Sequence, residues 1–358
     1  MKKRINPDDK KVTIYDVAER AGVSLATVSR VINNSNVVKA STKAKVQKVI
    51  EELDFKPNEI ARGLAKSKTT TIAVVFPESL FAHVKEMIGG IGDTCRSLGY
   101  NVIFYTTDDI GKQDDVIGNV VRQRVDGVVI FNSDQLENQF KTLINYNIPV
   151  VVIGATHTQY LPEGAEIVEN DENKKKNPAY LSASVFGDIE GLAYDIVKAH
   201  LEKGKANIAY TKSKQNIIND QWVENGAKKA YDEMGADFTN FTQISLTGTY
   251  EQDLKTLQEY FDSHRHDVVI SNYDKEAFAV AVAAKDHGIN VPDDMEIFGM
   301  FNTSYAEMSS PRLTSVNIPV YNMGAIAVRL LTKILGDDVI DSREIALKCF
   351  TVTRDSTK

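Results

Sequence analysis

Residues 13–33, TIYDVAERAGVSLATVSRVIN, confine this part of the chain to two short helices joined by a tight turn. Ile14, Val17 and Ala18 stand at i, i+3 and i+4, so a first helix turns one face to a core. Ala21-Gly22-Val23 interrupts the pattern, and Gly22 suits the left-handed backbone that a tight helix–helix turn requires. Ser24 is a good N-cap for the next helix, its hydroxyl free to accept a first-turn N–H. Over residues 25–32 the spacing buries Val28, Val31 and Ile32 and leaves Leu25, Ala26, Ser29 and Arg30 outside. A helix that enters the major groove of DNA needs that division, apolar within and short or hydrogen-bonding without. An ordinary helical hairpin in a larger core is the competing reading. The short outward side chains and the basic surroundings weigh against it.

Charge is unevenly distributed along the 358 residues. Residues 1–68 hold 15 Lys and Arg against 8 Asp and Glu, net +7, while the remainder holds 27 against 41, net −14. A basic head on an acidic body fits a protein that docks on DNA through the head alone. The polar opening MKKRINPDDK, residues 1–10, reads as an arm. Two cysteines, Cys95 and Cys349, lack motif spacing and fit a reducing compartment. Without an apolar run of about 18 residues or a signal peptide, the expectation is a soluble cytoplasmic protein.

A third amphipathic helix is expected at residues 42–53, and Pro57 ends the compact head, since the residue before proline is pushed out of helical geometry. The segment NEIARGLA, residues 58–65, is helical in pattern but too short to be stable alone; residues 66–71 form a polar linker. Beyond, strands and helices alternate. Strands are expected at 71–76, 101–105, 127–131 and 150–153, with helices at 84–98 and 114–124. A second strand set is expected at 181–186, 207–210, 268–271 and 296–300, with helices at 191–202, 220–234 and 275–287. Continuous apolar strands without alternation fit parallel sheets covered on both faces. Two successive α/β sets of this length imply two Rossmann-like subdomains facing each other across a cleft.

Three motifs, VTIYDVAERAGVSLATVSRVIN, KPNEIARGLA and LTSVNIPVYNMGAIAVRLLTK, make the chain similar to LacI/GalR-family transcription regulators over nearly its whole length after Lys11. The last motif and the ending TVTRDSTK resemble the catabolite-control branch. The resemblance implies an α/β protein: an all-α helix-turn-helix DNA-binding head at 11–57, a hinge helix and linker at 58–70, and a type I periplasmic-binding-protein-like body at 71–358. Its N-subdomain would comprise 71–163 and 302–336, its C-subdomain 164–301 and 337–358. A homodimer would read a pseudo-palindromic operator with a central CG step. Carried over by position, Leu25, Ala26 and Arg30 would read the major groove, while Ser24, Thr27, Ser29, Asn33 and Asn58 contact bases or phosphates. Leu64 would wedge into the minor groove and bend the duplex.

The controlling input follows from the same resemblance. Relatives that bind a sugar or purine use polar side chains at the cleft; Asp188 and Asp274 match such positions. Val223, Phe301 and Tyr273 replace polar residues there, and a site that loses its hydrogen-bonding partners loses selectivity for hydroxyls. Asp188 also reads as a plain cap at a subdomain edge. On a helix at 320–335, Arg329 and Lys333 are i and i+4, so both cations share one face. A fork and a point charge side by side can hold a phosphate, or simply form a solvated face. In the catabolite branch these positions, with Tyr321 and that of Asn322, contact serine-phosphorylated HPr, a corepressor. The alternative is a sugar-responsive repressor of a local saccharide operon, with a sugar or sugar-phosphate effector.

Enzyme readings find little support. Gly89-Gly90-Ile91-Gly92 does not follow a strand as a dinucleotide fingerprint must, and His264-Arg265-His266 has no metal-ligand company. No nucleophile elbow or zinc spacing is present. No cofactor or metal is expected.

Overall fold

The computed structural model describes residues 12–32, 37–56, 69–77, 85–107, 116–133, 136–167, 176–213 and 220–358. The expected arm, Asn33, and the hinge segment with Asn58 and Leu64 lie outside the described residues. The chain divides into a head, residues 1–69, and a body, residues 70–358.

The head is built on α1 (Ile14–Ala21), α2 (Leu25–Ile32) and α3 (Ala40–Glu52). Thr13 opens α1 with a capping box: its hydroxyl accepts the Asp16 N–H, and the Asp16 carboxylate accepts the Thr13 N–H at 2.6 Å. Two first-turn donors are thereby satisfied together. Gly22 ends α1 at φ 58°, ψ 40°, the left-handed geometry its position requires. Val17, Val28, Val31, Val46, Val49 and Phe55 close the core between the three helices. Each buried valine contributes about 1.5–3 kcal/mol relative to exposure.

The body contains two six-stranded sheets. Its strands are β1 (Thr71–Pro77), β2 (Asn101–Thr107), β3 (Gly127–Phe131), β4 (Val150–Ile153), β5 (Ser182–Gly187), β6 (Ile208–Ser213), β7 (Phe241–Leu246), β8 (Val268–Ser271), β9 (Glu296–Met300), β10 (Thr314–Asn317), β11 (Glu344–Leu347) and β12 (Phe350–Val352). The helices used below are α4 (Lys85–Leu98), α5 (Val116–Arg122), α6 (Leu136–Asn145), α7 (Pro178–Leu181), α8 (Ile189–Leu201), α9 (Asp220–Met234), α10 (Tyr250–Phe261), α11 (Asp274–Asp286), α12 (Ser304–Met308) and α13 (Val320–Gly336). The first sheet runs β11-β5-β4-β3-β1-β2, all parallel; the second runs β12-β10-β9-β8-β6-β7, with β12 antiparallel to β10.

Two expectations about membership need correction. The strand expected at 181–186 in the second set pairs with β4 in the first sheet, Val150 opposite Ser182. Likewise β10, inside the stretch 302–336 expected in the N-subdomain, belongs to the second sheet, while β11, inside 337–358, belongs to the first. Continuous burial shows that a strand is covered on both faces, not which strand lies beside it. The chain therefore crosses between the lobes after β5, after β10 and after β11. One buried cluster runs through both lobes, from Ile72 and Val74 to Ile208 and Val268. Among the described residues no helix is long and apolar enough to cross a membrane.

Candidate DNA-reading face, docking helix and interlobe cleft

On α2 the inner side chains Val28 and Val31 are buried, while Leu25, Ala26 and Arg30 are exposed and Ser29 is half-buried. Ser24 accepts the Thr27 N–H at 3.2 Å, and the two hydroxyls lie 2.9 Å apart. The cap thus fixes the first turn and keeps both hydroxyls at the same end as Leu25 and Ala26. Arg30 projects from the last turn of the helix. The structure adds one candidate that the apolar spacing could not mark: Tyr15 is 69% exposed on α1. A phenol with its ring outside the core is placed to donate to a phosphate.

The second region lies on α13 and its neighbour α4. Tyr321, Asn322, Arg329 and Lys333 are all exposed. The Tyr321 hydroxyl donates to Asp93 at 3.1 Å, and that carboxylate pushes the phenol pKa up; Asp93 also pairs with Arg96 at 3.2 Å. Lys333 reaches the Val339 carbonyl at 3.4 Å. Arg329 and Lys333 thus lie one turn apart on an exposed surface, with the Tyr321 phenol near the start of the same helix.

That surface depends on the glycine cluster of α4. A Cβ on Gly90 would stand 2.1 Å from the Tyr321 carbonyl oxygen, and one on Gly324 would stand 2.4 Å from the Met87 carbonyl oxygen. Of the glycines at 89–92, Gly90 serves a close helix crossing, with Gly324 opposite it.

The third region is the space between the lobes. Asp188 is the N-cap of α8, accepting the Gly191 N–H at 2.9 Å. It also borders an open cavity of about 400 Å³ with Phe186, Tyr194, Trp222 and Lys229. Asp274 is buried: it accepts the Thr303 N–H at 2.5 Å, the Thr303 hydroxyl at 2.8 Å and the Ser315 hydroxyl at 2.5 Å. Burial pushes its pKa up to about 6 against those donors. It borders neither this cavity nor the smaller one beside it. Val223 is fully buried in α9. Tyr273 and Phe301 stack at 5.3 Å and 16°.

The groups with possible enzymatic meaning have structural partners. His266 faces the Tyr260 hydroxyl at 2.8 Å and Asn207 at 2.7 Å, and burial pulls its pKa down to about 4. Cys95 and Cys349 are buried, which pushes their thiols up to about 11 and about 12. Thiols so disposed are poor nucleophiles at neutral pH. Among the described residues no group of three His, Cys, Asp or Glu is placed to hold a metal.

The family model for bacterial regulatory proteins of the lacI family matches residues 13–58, and that for a periplasmic binding protein-like domain matches residues 197–357. Catabolite control protein A of Priestia megaterium is 33% identical over 351 residues, covering 97% of this chain and 99% of its own. A solved complex of the transcriptional regulator CelR with cellobiose is 26% identical, with a TM-score of 0.64 over 96% of this chain and 99% of that one. The lac repressor dimer bound to operator and the anti-inducer ONPF shares the fold, with a TM-score of 0.78 at 20% identity over 97% and 99% of the two chains.

Proposed function

The chain belongs to the LacI family of bacterial regulatory proteins, and we propose that it regulates carbon catabolite genes as a DNA-binding homodimer stimulated by serine-phosphorylated HPr. The heads of the dimer read a pseudo-palindromic operator. Leu25, Ala26 and Arg30 face the major groove; Ser24, Thr27, Ser29, Asn33, Asn58 and Tyr15 serve base or backbone contacts, and Leu64 wedges into the minor groove. Arg30 carries the most discrimination, because a guanidinium pairs bidentately with guanine O6 and N7.

The observation that carries the choice of input is the exposed pair Arg329 and Lys333 on α13, with Tyr321 and Asn322 at the start of the same helix. A phosphoserine offers about −1.5 to −2 charge and three acceptor oxygens, which a guanidinium fork and an ammonium can share. Arg329→Ala is expected to abolish the gain in operator affinity on adding phosphorylated HPr, leaving basal binding unchanged. Fluorescence anisotropy with labelled operator, with and without the phosphoprotein, checks this; undiminished stimulation refutes the assignment.

A second reading rests on the cavity beside Asp188 and Trp222, whose size is within the range of small-ligand sites. There the chain would be a saccharide-responsive repressor of one operon. A thermal-shift panel of sugars and sugar phosphates against phosphorylated HPr separates the two, because a ligand that binds the native state raises its melting temperature.

A further inference from the structure

Between the lobes, beside the open cavity, lies a smaller pocket of about 20 Å³, room for roughly one water molecule. Met87, Ile189, Trp222, Phe301, Val320 and Met323 form most of its wall, and their side chains offer a hydroxyl only the indole N–H of Trp222 and two weak thioether acceptors. A polyol placed there would leave most of its hydroxyls unpaired against apolar side chains. The Phe301 ring belongs to the same packing, half-buried against the cluster that joins the lobes.

Phe301 reaches this position at a cost. Its φ is +83° and that of Asn302 is +47°, two successive side-chain-bearing residues in the left-handed region. Such backbone persists where its surroundings over-determine it. Here the Phe301 N–H donates to the Val316 carbonyl at 2.8 Å and the Asn302 N–H to the Ser315 hydroxyl at 3.0 Å. Arg354 holds the Asn302 side chain at 2.5 Å, and Asp274 holds Thr303 and Ser315 together. Buried Asp274 thus clamps the turn that presents the ring.

We propose that Phe301 is a built-in occupant of the interlobe cleft, a tethered aromatic ring in the space a diffusible effector would need. The site it fills selects flat apolar rings and refuses polyols. Val320 and Met323 of α13 line the cleft, whereas Tyr321 and Asn322 between them are exposed. Filling the cleft therefore also holds the start of α13. Neither the phosphoprotein nor DNA enters this inference, so it stands or falls apart from the proposed function.

Trp222 is the chain's one tryptophan, and it borders the cleft. Its fluorescence in the full-length protein reports directly on the space. Phe301→Gly removes the ring while allowing the left-handed backbone. In that variant Trp222 emission is expected to shift to the red and its acrylamide quenching to rise about twofold, as an opened cavity admits solvent and quencher. Toluene restores both towards wild type; maltose and glucose 6-phosphate do not. Phe301→Leu, which keeps the space filled, stays close to wild type. Unchanged quenching in Phe301→Gly, or reversal by a saccharide rather than toluene, overturns the proposal. Hydrogen exchange on the unaltered chain decides the matter should the glycine variant fail to fold. Amides 300–303 and 320–323 are expected to exchange equally with and without saturating saccharide; a saccharide-dependent change there overturns the proposal as well.

Discussion

Gly90→Ala is expected to destabilise the body by about 3 kcal/mol or more, at the upper end of overpacking effects. The added methyl would lie 2.1 Å from the Tyr321 carbonyl oxygen and 3.2 Å from the Ala325 nitrogen, both backbone atoms. A side chain can rotate away from an intruding methyl, but backbone can yield only if the two helices separate. The reciprocal contact of Gly324 with the Met87 carbonyl leaves no slack from the other side. Separation would also move Tyr321 and the helix face that bears Arg329 and Lys333. A drop of roughly 5–10 °C in melting temperature corresponds to that loss in a domain of this size. Gly92 supplies the control, because a Cβ there meets nothing within 4 Å. Gly92→Ala is expected to stabilise slightly, by up to about 1 kcal/mol, since alanine is the better helix former. Equal melting of the two variants contradicts the crossing described for α4 and α13.

The second large effect is at Arg30. Arg30→Ala is expected to weaken binding to the cognate operator about 10- to 100-fold, corresponding to the 1–3 kcal/mol of a bidentate base contact. Because Arg30 is exposed, outside the core of Val28 and Val31, thermal unfolding of the head is expected to be unaltered. Arg30→Lys keeps the charge but loses the planar fork, so it recovers non-specific binding more than specific binding. Anisotropy titrations against cognate and scrambled duplexes separate the two terms. A uniform loss on both duplexes would make Arg30 a phosphate contact instead of a base reader.

Much of this was legible in the residues because it rests on local rules. The left-handed Gly22, the Ser24 cap and the burial of Val28 and Val31 follow from spacing and turn chemistry within a dozen residues. The strands Gly127–Phe131 and Val150–Ile153 match their apolar runs end to end. What escaped depends on partners distant in sequence. The β5 run, SASVFG, is nearly as buried as β4, and only pairing with β4 assigns it to the first sheet. The edge strands β7 and β11 and the short polar β10 lack the unbroken apolar signature of central strands. The glycines at 89–92 fail as a nucleotide motif, yet the reason for Gly90 lies on α13, more than 200 residues away. Asp274 matches a pocket position in sequence but is drawn into the fold by Thr303 and Ser315. The sequence does contain the polar donors for that clamp, but not their convergence.

The central claim is that the chain reads DNA with two-fold symmetry through the outer face of α2. Selection from a randomised duplex pool with the full-length protein tests it most directly. The enriched sequences are expected to show dyad-related half-sites about a central CG step. Their affinity is expected to fall by about 10³ or more between 50 and 200 mM salt, as phosphate contacts release counterions. A pool that enriches no sequence, or only asymmetric ones bound with a flat salt response, contradicts the account.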